Sequence, residues 1–193
     1  MSVTNDPKKT ELASNFNVAQ YEAACKAKDR NAISDALRRR FTERYIDPVT
    51  PAICRKSHGF TIMAISCLMI ESLQSFCEGW ENSNGRSEIA FCHFFDSQRQ
   101  FNSLRGHFAE FYKNVRCGIL HQAETTAGWK INKKSGALLF DPTTNTINAM
   151  QFLKCIGEVL ETICDQLKSV DWDSELWKNV RKKMNALCVN CKS

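Results

Sequence analysis

One stretch of the sequence, residues 107–121, combines imidazole, carboxylate, amide and thiol side chains at helical spacing. On an ideal helix with about 100° per residue, six of its positions fall within roughly 40° of one line. They are His107, Glu110, Asn114, Cys117, Gly118 and His121. The line lies opposite the apolar residues Phe108 and Val115. Imidazole and carboxylate groups transfer protons, so this face could support acid–base chemistry; the alternative is a solvated face with an incidental histidine.

Gly118 is an unusual residue for the middle of a helix, because glycine there destabilises by about 1 kcal/mol relative to alanine. Its presence is explained if another backbone or a ligand approaches the helix at this point. It is also explained if the helix ends nearby.

Other catalytic and metal-binding patterns are missing. The sequence contains no GxGxxG, GxxxxGK[ST], GxSxG or HExxH. Cys188 and Cys191 form a lone CxxC, whereas a structural zinc needs four ligands, so incidental thiols are favoured over zinc. Cys117 and His121 would need a third, orienting group to act as a catalytic pair. We therefore expect no metal and no cofactor.

The segment Arg116-Cys-Gly-Ile-Leu-His121 fits the R-x4–6-H pattern of the HEPN superfamily. Asn114, just before the arginine, and the tail 120–124 also resemble HEPN sequences. The motif lies at the C-terminal end of a long predicted helix in an all-α domain, and the likeness covers roughly residues 33–187 in architecture. Its specific part is the segment 114–124.

HEPN domains with this motif are similar to metal-independent endoribonucleases in which two protomers join their motif residues at a dimer interface. The resemblance implies that His121 handles the ribose 2′-hydroxyl proton as general base or acid. It implies that Arg116 holds the scissile phosphate and stabilises its growing charge, and that Asn114 orients His121 or the phosphate. Attack of the 2′-oxygen on phosphorus would leave a 2′,3′-cyclic phosphate and a 5′-hydroxyl.

The resemblance further implies an RNA substrate, a homodimer, a regulatory protein partner and a role as a toxin or in anti-phage defence. The alternative is a non-catalytic HEPN-like module that binds nucleic acid or protein. A third possibility is a structural all-α interaction protein that carries Arg116 and His121 as surface residues.

Two features depart from a simple reading of the motif. Cys117, a weak hydrogen bonder, stands where many active members have a polar residue. Arg116 and His121 lie about 140° apart on an ideal helix. They converge only if the arginine reaches round, if the helix distorts at Gly118, or if each comes from a different protomer.

Composition limits the class of protein. The 193 residues are 43% hydrophobic and 24% charged, with a net charge of +5, which excludes a disordered or low-complexity chain. The N-terminus has no apolar signal-peptide core, so the ten cysteines are expected to be reduced in a cytoplasm. The most apolar run, 60–70, is shorter than the roughly 20 residues of a spanning helix, which predicts no membrane partner.

Apolar periodicity predicts the elements that position the motif. We expect an all-α helical bundle of HEPN type with a short β-hairpin inserted before the last two long helices. Residues 1–15 are expected to be flexible and 16–190 to form a single domain. Predicted helices cover 17–29, 33–46, 60–80, 87–95 (with Ser87 as N-cap), 97–122, 146 or 148 to 169, and 173–187; predicted hairpin strands are 129–131 and 137–140.

Charged residues offer further contacts. Basic side chains on two helices could hold RNA, although ordinary solvated faces are the favoured explanation. They are Arg38, Arg39, Arg40, Arg44, Lys178, Arg181, Lys182 and Lys183. Glu71 and Glu78 share a face of the central helix, and because a buried glutamate needs a partner, one of them could pair with Arg116 or with a lysine next to the core.

Overall fold

A computed structural model describes residues 7–51 and 58–191 and has a mostly all-α fold with small sheets, as predicted. The backbone forms two compact units. Unit 1 comprises Met1–Arg44, Ser75–Asn82 and Leu160–Ser193, and unit 2 comprises Tyr45–Gln74 and Ser83–Val159. The single domain expected over 16–190 stays a prediction.

Two helices near the N-terminus of unit 1 begin at polar caps. The side chain of Asn17 accepts from the backbone of Gln20, opening α1 (Val18–Ala27), and Asp29 caps α2 (Arg30–Phe41) in the same way. A π-helical turn, Thr42–Ile46, and a short helix α3, Asp47–Val49, follow. The end predicted for this helix at residue 46 is wrong, because Pro48 occupies a first helical turn, where no N–H donor is needed.

Part of the segment expected to be flexible is ordered. Residues 1–6 lie outside the described residues, but β1 (Glu11–Ala13) pairs antiparallel with β2 (Phe16–Asn17). Leu12 is buried, and Ser14 donates backbone and side-chain hydrogen bonds to Glu43. Burial of one leucine and a carboxylate contact anchor a segment that composition alone marks as polar.

The last helix of unit 1, α9 (Glu175–Asn190), begins at Ser174, whose hydroxyl accepts from the backbone of Trp177. Its buried face carries Trp177, Val180 and Met184. The indole of Trp177 donates to the carbonyl of Leu167 at 2.9 Å, so this buried tryptophan is a packing residue.

Two long helices contribute residues to both units: α4 (Gly59–Cys77) and α8 (Ala149–Ser169). Asn148 caps α8, accepting from the backbones of Met150 and Gln151 at 3.1 Å. Within the described residues, α4 alone is long and apolar enough to cross a bilayer, and 56% of its most apolar window is buried inside the protein. This burial is compatible with a core helix of a soluble protein.

The predicted long helix over 97–122 is wrong in its first half. Helix α5 (Ser87–Ser97) is followed by a 3₁₀ segment, Arg99–Leu104. Gly106 has φ +81°, a left-handed conformation that breaks the helix. The chain then forms α6 (Phe108–Phe111), a π-helical turn (Tyr112–Arg116) and α7 (Cys117–Gln122).

The predicted hairpin is present, but its strands differ from those expected. The hairpin joins β4 (Phe140–Asp141) to β5 (Thr146–Asn148). The first predicted strand, now β3 (Lys130–Asn132), pairs in parallel with β5 instead, giving the order β3-β5-β4. The Gly-containing loop 132–136 suggested a tight turn, but the turn that reverses the chain lies at 142–145.

An aromatic cluster forms the core of unit 2. The rings of Phe111 and Phe152 stack 5.4 Å apart, and Trp129 stacks on Phe140 at 5.2 Å. Phe95 and Phe101 pack against the same group. Because Phe111 immediately precedes the π-helical turn, this cluster fixes the helix that carries Arg116.

Phe111→Ala should therefore lower the free energy of unfolding by about 3–5 kcal/mol, the cost of emptying a buried phenylalanine site. Phe111→Leu should cost less because it keeps part of the volume. Urea denaturation followed by tryptophan fluorescence measures both. Equal stability of Phe111→Ala and the parent protein would contradict this assignment of the core.

Candidate functional site

Arg116, the arginine of the motif, is held by the carboxylate of Glu71 from α4. Its Nε donates to Glu71 Oε1 at 2.9 Å, and its Nη2 lies 2.8 Å from the same oxygen in an ion pair. The side chains are only 15% and 11% exposed, respectively. The prediction that a glutamate of the central helix pairs with Arg116 is confirmed, and Glu71 is that residue.

Ser87 occupies the other oxygen of the carboxylate. Its hydroxyl donates to Glu71 Oε2 at 2.8 Å. The predicted N-cap role of Ser87 is wrong: the helix is preceded by Arg86, which makes no side-chain cap, and Ser87 is its first residue. Ser87 binds Glu71 instead of capping the helix, because a hydrogen bond to a buried carboxylate is stronger than one to a backbone N–H.

The surroundings of Arg116 keep it charged. Burial lowers its pKa, but the carboxylate of Glu71 outweighs burial and the net pKa is raised. The guanidinium lies 5.3 Å from the ring centre of Tyr112, and its Nη1 lies 3.9 Å from the sulfur of Cys117. Burial raises the pKa of the Tyr112 hydroxyl, so the hydroxyl keeps its proton and can donate a hydrogen bond.

A small, mostly apolar pocket of about 70 Å³ opens beside this ion pair. Glu71 and Arg116 line it together with Ala64, Cys67, Leu68, Ile119 and Leu120. Leu68 and Leu120 are large apolar residues that stay 47% and 57% exposed. The pocket is too small for a nucleotide, and exposed leucines flank the buried charge pair.

Asn114, predicted to orient His121 or the phosphate, is hydrogen-bonded to Thr126. The side chain is buried, and its Oδ1 accepts from the Thr126 hydroxyl at 2.9 Å. The backbone carbonyl of Asn114 also accepts from the Thr126 N–H at 2.9 Å. The residue lies in the π-helical turn, where the backbone hydrogen-bond pattern shifts, and it anchors the loop that follows α7.

Gly118 allows the loop that follows α7 to fold back against the helix. A Cβ at this position would lie 2.5 Å from the carbonyl oxygen of Glu124, closer than real contacts allow. The chain turns at Ala123, which has φ +55° and donates its N–H to the carbonyl of Gly118. Of the explanations considered for this glycine, close approach of another backbone is confirmed, and the helix also ends nearby.

His121 lies in the last turn of α7 and is exposed. Within the described part of the chain its imidazole has no hydrogen-bond or ion-pair partner. Arg116 ends the π-helical turn and His121 lies in α7, and the described residues show no contact between the two side chains. One chain fixes the arginine and presents the histidine, but it does not join them.

The single polar face expected over 107–121 is not formed. His107 precedes α6 rather than lying within it, and its ring packs 5.2 Å from that of Phe140. Asn114 and Gly118 are buried, while Glu110 and His121 are exposed. The π-helical turn adds a residue to the helical repeat and rotates the later positions, which a sequence projection at constant angle cannot detect.

Sequence reasoning missed three side chains that complete this region: Tyr112, Ser87 and Thr126. An aromatic residue four positions before Arg116 was the available signal for the first. Nothing in the sequence links Ser87 or Thr126 to the motif, since their contacts depend on how the chain folds back.

The basic residues divide by role. In α2, Arg38 pairs with Asp35, Glu161 and Asp165, and Arg40 donates to the carbonyl of Leu12 at 2.7 Å. These arginines thus hold unit 1 together.

Within residues 7–51 and 58–191, no cluster of three or more His, Cys, Asp or Glu side chains could hold a metal ion.

Comparison of the chain with protein-family models, with curated proteins and with solved structures gives no significant match.

The Glu71–Arg116 pair should contribute measurably to stability. Glu71→Ala leaves a mostly buried guanidinium without its partner and should cost about 3 kcal/mol, the lower end of the range for buried pairs. Glu71→Ala in an Arg116→Met background should cost less, with a coupling of about 2 kcal/mol in the double-mutant cycle. Urea denaturation measures each variant. Glu88→Ala, a change at an exposed carboxylate, is the control, and zero coupling would contradict the pairing.

Gly118→Ala should destabilise the protein by about 1–3 kcal/mol. The new methyl group would collide with the backbone carbonyl of Glu124, which leaves no space for it. At Gly157, in the interior of α8, an added methyl group would meet nothing within 4 Å. Gly157→Ala should therefore stabilise by up to about 1 kcal/mol through helix propensity alone. Thermal or urea unfolding separates the two, and the same sign for both substitutions would refute the close approach at Gly118.

Proposed function

We propose that this protein is a metal-independent endoribonuclease of HEPN type that acts as a homodimer. Arg116 binds the scissile phosphate, and His121 transfers the proton of the ribose 2′-hydroxyl. A toxin or anti-phage role and control by a partner protein belong to the same proposal, by analogy with the HEPN family.

The observation that carries the proposal is the fixed guanidinium of Arg116 five residues before an exposed imidazole, that of His121, which has no partner among the residues that the structure describes. Glu71 accepts the Nε–H of Arg116 and forms an ion pair with its Nη2. The Nη1 protons have only a long contact with the sulfur of Cys117, so they stay suited to a phosphate oxygen. Because the carboxylate of Glu71 holds the guanidinium, the cation is oriented before substrate arrives. A cation fixed in this way favours stabilisation of transition-state charge.

In the proposed homodimer, Arg116 of one protomer meets His121 of the other. Arg116 and His121 of one chain point in different directions around the helix, so a single site would take the arginine of one protomer and the histidine of the other. Leu68 and Leu120 are exposed beside Arg116, and apolar residues of this kind are typical of the centre of a homodimer interface.

In the proposed reaction, His121 removes the 2′-hydroxyl proton as the 2′-oxygen attacks phosphorus. The P–O5′ bond breaks, and the 5′-oxygen leaves as a hydroxyl because the protonated His121 returns to it the proton taken from the 2′-hydroxyl. Arg116 neutralises charge on the non-bridging oxygens. No redox partner is needed, and the products are a 2′,3′-cyclic phosphate and a 5′-hydroxyl.

A non-catalytic HEPN-like module that binds nucleic acid or protein is the second candidate. One observation favours it: two of the three proposed site residues are engaged inside the fold. Asn114 is bonded to Thr126 and Arg116 to Glu71. In this case the motif would serve as a structural junction, and binding would take place elsewhere.

The test is incubation of the purified protein with single-stranded and structured RNA in EDTA. We expect cleavage with cyclic-phosphate ends, and His121→Ala should reduce the rate by about 10²–10⁴-fold, the usual contribution of a general acid or base. Arg116→Lys should lose activity while keeping a positive charge near Glu71. His93→Ala, at another exposed histidine of unit 2, is the control. Absence of cleavage in all RNAs would reject the nuclease in favour of the binding module.

Mixing two inactive variants tests the dimer. Arg116→Ala and His121→Ala protomers, combined after unfolding and refolding, should recover about one quarter of parent activity, because half of random dimers contain one intact shared site of two. Sites built within one protomer would give no recovery.

A further inference from the structure

A groove in unit 1, remote in sequence from the R-x4-H motif, is lined by the outer face of α9 and by residues 81–82. Its volume is about 600 Å³, within the range of about 300–1,000 Å³ typical of ligand sites. The lining residues are Glu81, Asn82, Lys178, Arg181, Lys182, Asn185, Ala186, Val189 and Asn190.

The two walls of the groove are joined by defined contacts. Asn179 of α9 donates to the carbonyl of Cys77 at 2.8 Å, and Lys183 donates to the carbonyl of Glu81 at 2.9 Å. Gly79, with φ +65°, allows the chain to turn against Asn179, since a Cβ there would lie 2.7 Å from the Asn179 side-chain oxygen. The groove is thus a built feature rather than a gap between loose segments.

The charge of the groove is positive. Lys178, Arg181 and Lys182 face it against a single carboxylate in the lining, that of Glu81. Lys178 also lies 3.9 Å from Glu175, but both side chains are more than half exposed, so this ion pair is weak. Lys182 is exposed and makes no ion pair within the described residues.

Arg181 is held in place before any ligand binds. Its guanidinium stacks 4.5 Å from the ring centre of Trp172 and donates to the carbonyl of the same residue. Asn185 accepts a hydrogen bond from the Tyr21 hydroxyl at 3.1 Å through Oδ1, so its amide nitrogen is left as a donor. A fixed arginine, two mobile lysines and an amide donor suit oxygen-rich anions.

We infer that this groove binds the phosphodiester backbone of single-stranded nucleic acid. Cations spaced along one helix match successive phosphates, and amide side chains can bond to phosphate or base oxygens. The inference is independent of the proposed cleavage reaction, because it concerns a different surface of the chain.

The other cavities do not share this chemistry. A space of about 370 Å³ beside α6 is lined by Glu88, Glu110 and Lys113, which leaves it net acidic. A space of about 400 Å³ on the small sheet has Lys130 and Lys134 opposite Asp141. Neither combines a fixed arginine with further cations.

The test measures fluorescence anisotropy of a fluorescein-labelled 2′-O-methyl oligouridylate, which lacks the 2′-hydroxyl that the proposed nuclease would use. Loss of cleavage and loss of binding are therefore separate results. The variant Lys178→Glu/Lys182→Glu should weaken binding at least 10-fold. It should also reduce the slope of log K against log salt by about 1.4, for two single-strand phosphate contacts, between about 50 and 200 mM NaCl.

Lys9→Glu/Lys26→Glu carries the same charge change on exposed lysines of unit 1 outside the groove and should bind within twofold of the parent. Circular dichroism checks that both double variants fold. Equal loss in the two double variants would indicate unspecific attraction and overturn the site. So would the absence of oligonucleotide binding by the parent protein, with or without binding to vesicles that contain phosphatidylserine.

Discussion

The ion pair between Glu71 and Arg116 determines what the motif can do. Two nitrogens of the arginine contact one carboxylate oxygen, and Ser87 binds the other. Three segments that are distant in sequence, α4, the start of α5 and the π-helical turn, therefore meet at one buried carboxylate. The arginine cannot swing freely toward the histidine of its own chain, because leaving Glu71 would strand a mostly buried charge.

The π-helical turn and the chain that folds back on it form the second constraint. Asn114 holds Thr126 through both backbone and side chain, and Gly118 lets the carbonyl of Glu124 approach the helix. This arrangement ends the helix soon after His121 and leaves the imidazole at its exposed end. The residues around the motif thus have structural roles, and the chemistry proposed for them relies on what remains uncommitted: the Nη1 side of Arg116 and the imidazole of His121.

Some basic side chains make structural contacts within the protein, whereas others are exposed and available to bind a ligand. Arg38 and Arg40 of α2 are bonded to carboxylates and to a carbonyl group of unit 1, whereas α9 presents Lys178 and Lys182 outward beside a stacked arginine. A modest net charge of +5 can therefore include one strongly basic groove. Composition alone does not reveal it, because the same residue types occur in both helices.

The sequence by itself determined the helical class and the approximate bounds of α1, α4, α5, α8 and α9, and it placed the start of α8 at Thr146 or Asn148, because these follow from local periodicity and capping chemistry. It also indicated that Gly118 admits a close neighbour and that a glutamate of the central helix pairs with Arg116. Only the tertiary structure decided which glutamate pairs, that Asn114 anchors a loop, and that β3 pairs with β5.

The break at Gly106 and the π-helical turn shift the angular position of every later residue, and such shifts arise from packing rather than from local propensity. Sequence spacing alone could therefore suggest that Arg116 and His121 act together, but the fold fixes them about the helix in positions that one chain does not join.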